Sequence, residues 1–153
     1  MSGRGSAVEH DKSTGTFGLA STTPATLSAA TAAADLWPQM RQFIWRRAYG
    51  TCEGCGAAGQ EVHHRQPRGY GGVHGAAELV AHSASNLMLL CRNCHRFTED
   101  EPAAARRLGW LVPHPTDPAM VPAYLRTVNG TGWWLLDNNG DYHWVDQEGD
   151  DHE

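Results

Sequence analysis

"SNLMLLCRNCH", residues 85–95, decides how this chain folds. Leu87–Leu90 form a short apolar run that reads as a strand. Cys91 and Cys94 follow at a two-residue spacing, a knuckle that continues as a helix through "RFTEDEPAAARRLGW". Asn86 stands just before the strand and His95 just after the last cysteine.

Working outward, "TCEGCG" (51–56) carries a second pair, Cys52 and Cys55. Four thiolates satisfy tetrahedral Zn²⁺, and each two-residue gap lets its pair approach the ion from one turn. The 35 residues between the pairs hold a strand–loop–strand unit, so a structural zinc would clamp its base. A core this small would draw much of its stability from the metal. An even cysteine count also permits disulfides. The N-terminus, however, has no charged region followed by an apolar one, and the expectation is a cytoplasmic protein whose thiols stay reduced. No apolar run approaches the length of a membrane-spanning helix.

Between the pairs lies "EVHHRQPRGYGG" (61–72). "EVHH" reads as a strand, and neighbouring strand residues face opposite ways. His63 and His64 can therefore reach two sides of one ligand. Glu99 stands one helical turn beyond His95, and an i, i+4 pair shares a face. Arg65 and Arg68 follow the doublet, and Arg92 and Arg96 flank His95. These arginines read as phosphate contacts or as ordinary solvated charges. Glycines 69, 71 and 72 would let backbone approach a ligand closely. His74, His82, His114 and His143 have no partner spacing and read as surface or structural residues.

Taken together, "VHH" (62–64), "SNLMLLCRNCH" (85–95) and the framing cysteine pairs resemble the HNH endonucleases, which have the ββα-metal fold. The resemblance runs from about Arg41 to Trp110 and implies a metal-dependent DNA endonuclease. It implies His64 as general base, with His63 and His95 as ligands of a catalytic divalent ion. Asn86 would either orient the base or bind metal. Glu99 occupies a position where some members carry a further histidine. A carboxylate there favours Mg²⁺ or Mn²⁺, with Ni²⁺ and Zn²⁺ also open. The loop "PRGYGG" resembles those of phage-type members, which suggests by association a role near genome packaging or a mobile element, with a packaging or other protein partner. Monomer and dimer are equally open.

The wider chain is organised around this centre. The formal charge is −5, yet residues 41–110 hold nine arginines against six acids, while 137–153 hold seven acids and no Lys or Arg. A basic middle with an acidic end fits a polyanion such as DNA that meets only the middle. Residues 1–34, rich in Ser, Thr, Ala and Gly, read as a disordered tail. The alanines at 29–34 can extend the next helix by a turn or two. That helix starts with Asp35 as N-cap, buries Leu36, Met40, Phe43 and Ile44, and ends at Gly50. Residues 111–146 read as an extended, proline-punctuated segment and a β-hairpin about Asn139-Gly140 that packs on the domain. Residues 147–153 read as an acidic tail.

The expected fold is thus α+β: an N-terminal helix, a zinc-stabilised ββα-metal (HNH) nuclease domain over 35–110, and a C-terminal hairpin. A non-catalytic zinc-stabilised nucleic-acid-binding module is the main alternative, and a zinc-stabilised protein adaptor the next.

Overall fold

The computed structural model describes residues 29–68 and 76–146. The readings made for residues 1–28, for Gly69, Gly71, Gly72 and His74, and for 147–153 lie outside the described residues.

The first helix, α1 (Ala29–Arg47), starts a turn and a half before Asp35. Alanine has the highest helix propensity, so "AATAAA" continues the helix and Asp35 lies inside it rather than capping it. Pro38 consequently stands mid-helix, where it forgoes one backbone bond. At the other end Gly50 takes a positive φ of 68° and donates its N–H to Trp45 O at 2.9 Å. The buried stripe is Trp37, Met40, Ile44 and Ala48. Phe43 is excluded from it and lies instead against the turn at Gly140, where an added Cβ would come within 2.3 Å of its ring.

Strand β1 (Glu61–His64) pairs antiparallel with β2 (Leu87–Leu90), His63 opposite Met88 and His64 opposite Leu87. The connection, expected to be loop as far as Glu78, turns helical earlier as α2 (Ala76–Ala81) and then makes a 3₁₀ turn at Ala84–Asn86. All four β2 residues are buried because both faces of the strand are covered. Leu87 and Leu89 meet the α1 stripe. Met88 and Leu90 meet Cys52, Cys91, Trp110 and the C-terminal sheet.

The long helix expected after Cys91 is two helices, α3 (Arg92–Asp100) and α4 (Pro102–Arg107). Glu101, at φ −126° and ψ 58°, breaks the run because Pro102 disfavours α geometry in the residue before it. The C-terminal part also holds one strand more than expected. β3 (Ala123–Thr127), β4 (Gly130–Leu136) and β5 (Tyr142–Trp144) form an antiparallel sheet in sequence order. Residues 123–127 alternate buried and exposed, a pattern too short to stand out after the prolines before it. Trp134 joins the core, while Trp144 is 54% exposed and edge-on to it.

A buried ion pair locks these layers together. The Arg47 guanidinium donates to Glu53 Oε2 at 2.9 Å, to Ala84 O at 2.9 Å and to Leu87 O at 2.6 Å. Glu53 also accepts from Leu89 N at 2.7 Å and from the Tyr142 hydroxyl. One carboxylate therefore connects α1, the first knuckle, β2 and β5. Among the described residues no helix is long and apolar enough to cross a membrane.

Candidate functional site

Two groups of polar side chains are built around β1–β2. In the first, the Sγ atoms of Cys52, Cys55, Cys91 and Cys94 all fall within 4.8 Å of one another. Cys55 and Cys91 are 3.7 Å apart. Tetrahedral Zn–S bonds of about 2.3 Å put sulfurs about 3.8 Å apart, so the set fits zinc. Knuckle geometry explains the tightness. A Cβ at Gly54 would come within 2.7 Å of the Trp110 ring and 3.2 Å of Cys94 Sγ. Cys91 is also the N-cap of α3, its sulfur accepting from Cys94 N.

The second group lines an open cleft of about 460 Å³. His63, His64, Arg68, His95 and Glu99 all contribute to its walls. The pleat of β1 sorts the histidines as the alternation requires. His63 is on the α3 side, where its ring meets that of His95 edge to face at 5.3 Å. His64 is on the α1 side, stacked on Trp37 at 4.9 Å and 24°.

Each of the paired imidazoles has one nitrogen committed. His63 Nε2 is 2.9 Å from the Trp110 carbonyl, which can only accept, so Nε2 donates and Nδ1 keeps the lone pair. His95 Nδ1 is 2.5 Å from Glu61 Oε2, which leaves Nε2 with its lone pair. A histidine fixed by carbonyl or carboxylate at one nitrogen and presenting the other is the arrangement of a metal ligand. Glu61 is two residues from His63 on β1 and therefore shares its face, a signal that period-two alternation contains.

His64 Nε2 is 3.1 Å from His82 Nδ1, and His82, expected to be a surface or structural residue, is buried. Eighteen residues separate the two, and no local spacing announces such a contact. Burial, and then the charges of Arg68, His82 and His63, push the His64 pKa down to about 3. Burial likewise lowers His63 to about 4, against the opposing effect of its bond to Trp110. Both rings are neutral at neutral pH, the form that binds metal or accepts a proton.

Asn86 is buried and its amide is fully engaged. Oδ1 accepts from Gln66 N at 2.7 Å, and Nδ2 donates to Ala81 O at 2.9 Å. Its carbonyl accepts from Arg65 N. It thus ties the residues after His64 to the end of α2.

Arg65 corrects an expectation. Rather than facing a phosphate it is wholly buried, donating to the carbonyls of Gly109, Ser85, Pro118 and Val121 at 2.6–3.0 Å. Its long fork reaches four carbonyls on three separate chain segments, at Ser85, Gly109 and the 118–121 turn. Arg68 is exposed and lies over the Trp37 ring at 5.5 Å. Arg92 and Arg96 are exposed on α3 near Glu61 and Asp100 respectively, and outside the cleft walls.

Residues 52–101 match the family model for HNH endonuclease. The HNH segment is 50 of 153 residues, about a third of the chain, and contains all four cysteines, both adjacent histidines, Asn86, His95 and Glu99. Trp37 and Leu111 complete the cleft from outside it, and the Trp110 carbonyl holds His63. No curated protein and no solved structure matches the chain. The match is to an HNH endonuclease family and suggests a nuclease or nucleic-acid-related function, and the four-cysteine cluster is suited to a structural metal such as zinc.

Proposed function

We propose that the protein is a metal-dependent DNA endonuclease in which His64 is the general base. The working domain is assigned to 35–110, with 111–146 packed on it. The observation that carries this reading is the pairing of His63 and His95. They share a cleft with His64, and each is held by a protein acceptor so that one lone pair is presented. Those two imidazoles would hold a divalent ion; among the described residues only the four cysteines already converge at ligand distance, so the exposed Glu99 carboxylate in the cleft wall would have to swing in to join them, and as a ligand it would favour Mg²⁺ or Mn²⁺. Once bound, such an ion supplies positive charge that stabilises the phosphate and the leaving oxygen.

His64 would have its Nε2 occupied by His82 and offer Nδ1 to water. The water gives its proton to Nδ1 and attacks phosphorus in line, and the P–O3′ bond breaks. The negative charge of a phosphate in the cleft raises the His64 pKa from its depressed value toward the working range. Stacking on Trp37 keeps the ring from turning away. Asn86 would act as a positioning residue through the Gln66 and Arg65 backbone, since its amide is buried and bonded to the chain at both Oδ1 and Nδ2. Arg68 is the arginine of the original four best placed to meet a phosphate. Zinc on the four cysteines would be architectural.

A second reading, a DNA-binding module without turnover, is favoured by one feature, the burial that makes His64 a weak base in the free protein. Plasmid nicking separates the two. His64→Ala should lower the rate by about 10²–10⁴-fold while zinc content and circular dichroism stay as in wild type. EDTA should abolish turnover and added Mg²⁺ or Mn²⁺ restore it. Equal nicking by wild type and His64→Ala would remove His64 as the base.

A further inference from the structure

The cleft does not end at Arg68. A second depression of about 320 Å³ opens beside it, and the two share Pro67, Arg68 and Leu111 as a common wall. Its lining is largely apolar, made by Pro67, Leu111, Val112 and Pro113, and Arg106 and Arg68 both contribute to it. His114 Nε2 donates to Pro67 O at 3.2 Å, which fastens the 113–115 segment to the far end of the β1 loop and fixes the width of the depression. Val112 N–H is bonded to Arg65 O at 2.8 Å, so the buried Arg65 anchors the lining. Arg106 and Arg68 are exposed and make no ion pair among the described residues.

A largely apolar lining with two uncompensated guanidiniums, continuous with the histidine cleft, suits one kind of occupant. A nucleic-acid strand alternates apolar sugar and base faces with phosphates at a regular interval, and guanidinium is the better-matched cation for phosphate. We infer that this depression is a subsite for the nucleotide next to the scissile phosphate, with Arg106 holding the flanking phosphate. The inference rests on the reading that the histidine cleft takes a DNA strand. Arg106 lies beyond residues 52–101, so the contact is supplied by the part of the chain outside the HNH match. The lining offers shape and charge and few base-edge partners, so the grip is indifferent to sequence.

Neighbouring arginines make the test selective. Arg106 and Arg107 are both exposed residues of the last turn of α4, but Arg107 is absent from the depression's lining. Binding of full-length, zinc-loaded His64→Ala protein to a fluorescent DNA duplex and to the matching single strand is measured across a salt series. Adding Arg106→Ala should weaken binding about tenfold at low salt and reduce the salt slope by about one. Adding Arg107→Ala removes the same charge and should change neither by more than about a third of that. Arg106→Lys should recover the slope but only part of the affinity. Equal effects of the two alanine variants, or none from Arg106→Ala, would overturn the subsite. That failure is separable from failure of the nuclease reading, in which wild type binds DNA and does not cut it. Absence of any DNA binding would sink both.

Discussion

The imidazoles of His64 and His82 share a hydrogen bond, Nε2 to Nδ1 at 3.1 Å, while the Trp37 ring covers both, 4.9 Å from His64 and 4.7 Å from His82. His82 thereby fixes which nitrogen His64 turns to the cleft. His82→Phe keeps an aromatic ring under Trp37 and removes the bond. Single-turnover nicking should fall by roughly 10–100-fold, as when a partner that orients a catalytic histidine is removed. KM should stay near wild type, because His82 is not in the cleft wall. A rise in KM with kcat unchanged would mean that His82 shapes binding and not the base.

Arg65 and Arg68 are three residues apart and should behave oppositely. Arg65→Ala removes the guanidinium bonds to four carbonyls and should cost more than about 3 kcal/mol in urea unfolding of the zinc-loaded protein. Arg65→Lys should rescue little, since one ammonium cannot reach four carbonyls on three segments. Arg68→Ala should move stability by no more than about 0.5 kcal/mol and weaken DNA binding instead. A wild-type unfolding midpoint for Arg65→Ala would refute its role as a clamp.

Glu53 is buried, and Arg47 meets both of its carboxylate oxygens, Oε2 also accepting from Leu89 N and Oε1 from the Tyr142 hydroxyl. Glu53→Ala strands the Arg47 charge and should cost about 3–5 kcal/mol. Replacing both residues, as in the Arg47→Met, Glu53→Leu double variant, should cost less than the single change. A double variant less stable than Glu53→Ala would show that desolvation of Arg47 is not the dominant penalty.

Acid should destabilise the fold through His64. Its pKa is near 6.5 in the unfolded chain and about 3 in the folded one. As pH falls below about 6.5 the unfolded chain takes up a proton that the folded chain refuses, so stability drops through that window and is unaffected above it. His64→Ala should therefore lose less unfolding free energy than wild type between about pH 7 and pH 5. Cysteine protonation acts on both proteins and cancels in the comparison. Identical losses would mean that the ring is solvated in the folded state.

Several features were open to reading along the chain because they are local. A Cys-x-x-Cys pair is a single turn, Leu87–Leu90 is one strand, and Asn139-Gly140 is one hairpin. His63, His64 and His95 stand beside those markers and could be named from them. The break between α3 and α4 was equally local, since Pro102 was in view, yet the alanines after it concealed the stop. His82 was missed for a different reason: α2 and a 3₁₀ turn carry it back to His64, and no spacing rule describes that path.

Sequence alone determined the chemistry on offer: four thiolates in two turns, an alternating histidine pair, and a carboxylate one turn from a third histidine. Local geometry is enough for that, because spacing along a turn, strand or helix sets which side chains are neighbours. Tertiary structure alone decided which polar groups face water. Arg65 and Arg68 look interchangeable in the string, and only the convergence of four distant carbonyls draws one inward and leaves the other at the cleft. Burial is a property of everything that packs around a residue, and most of what surrounds Arg65 lies twenty or more positions away.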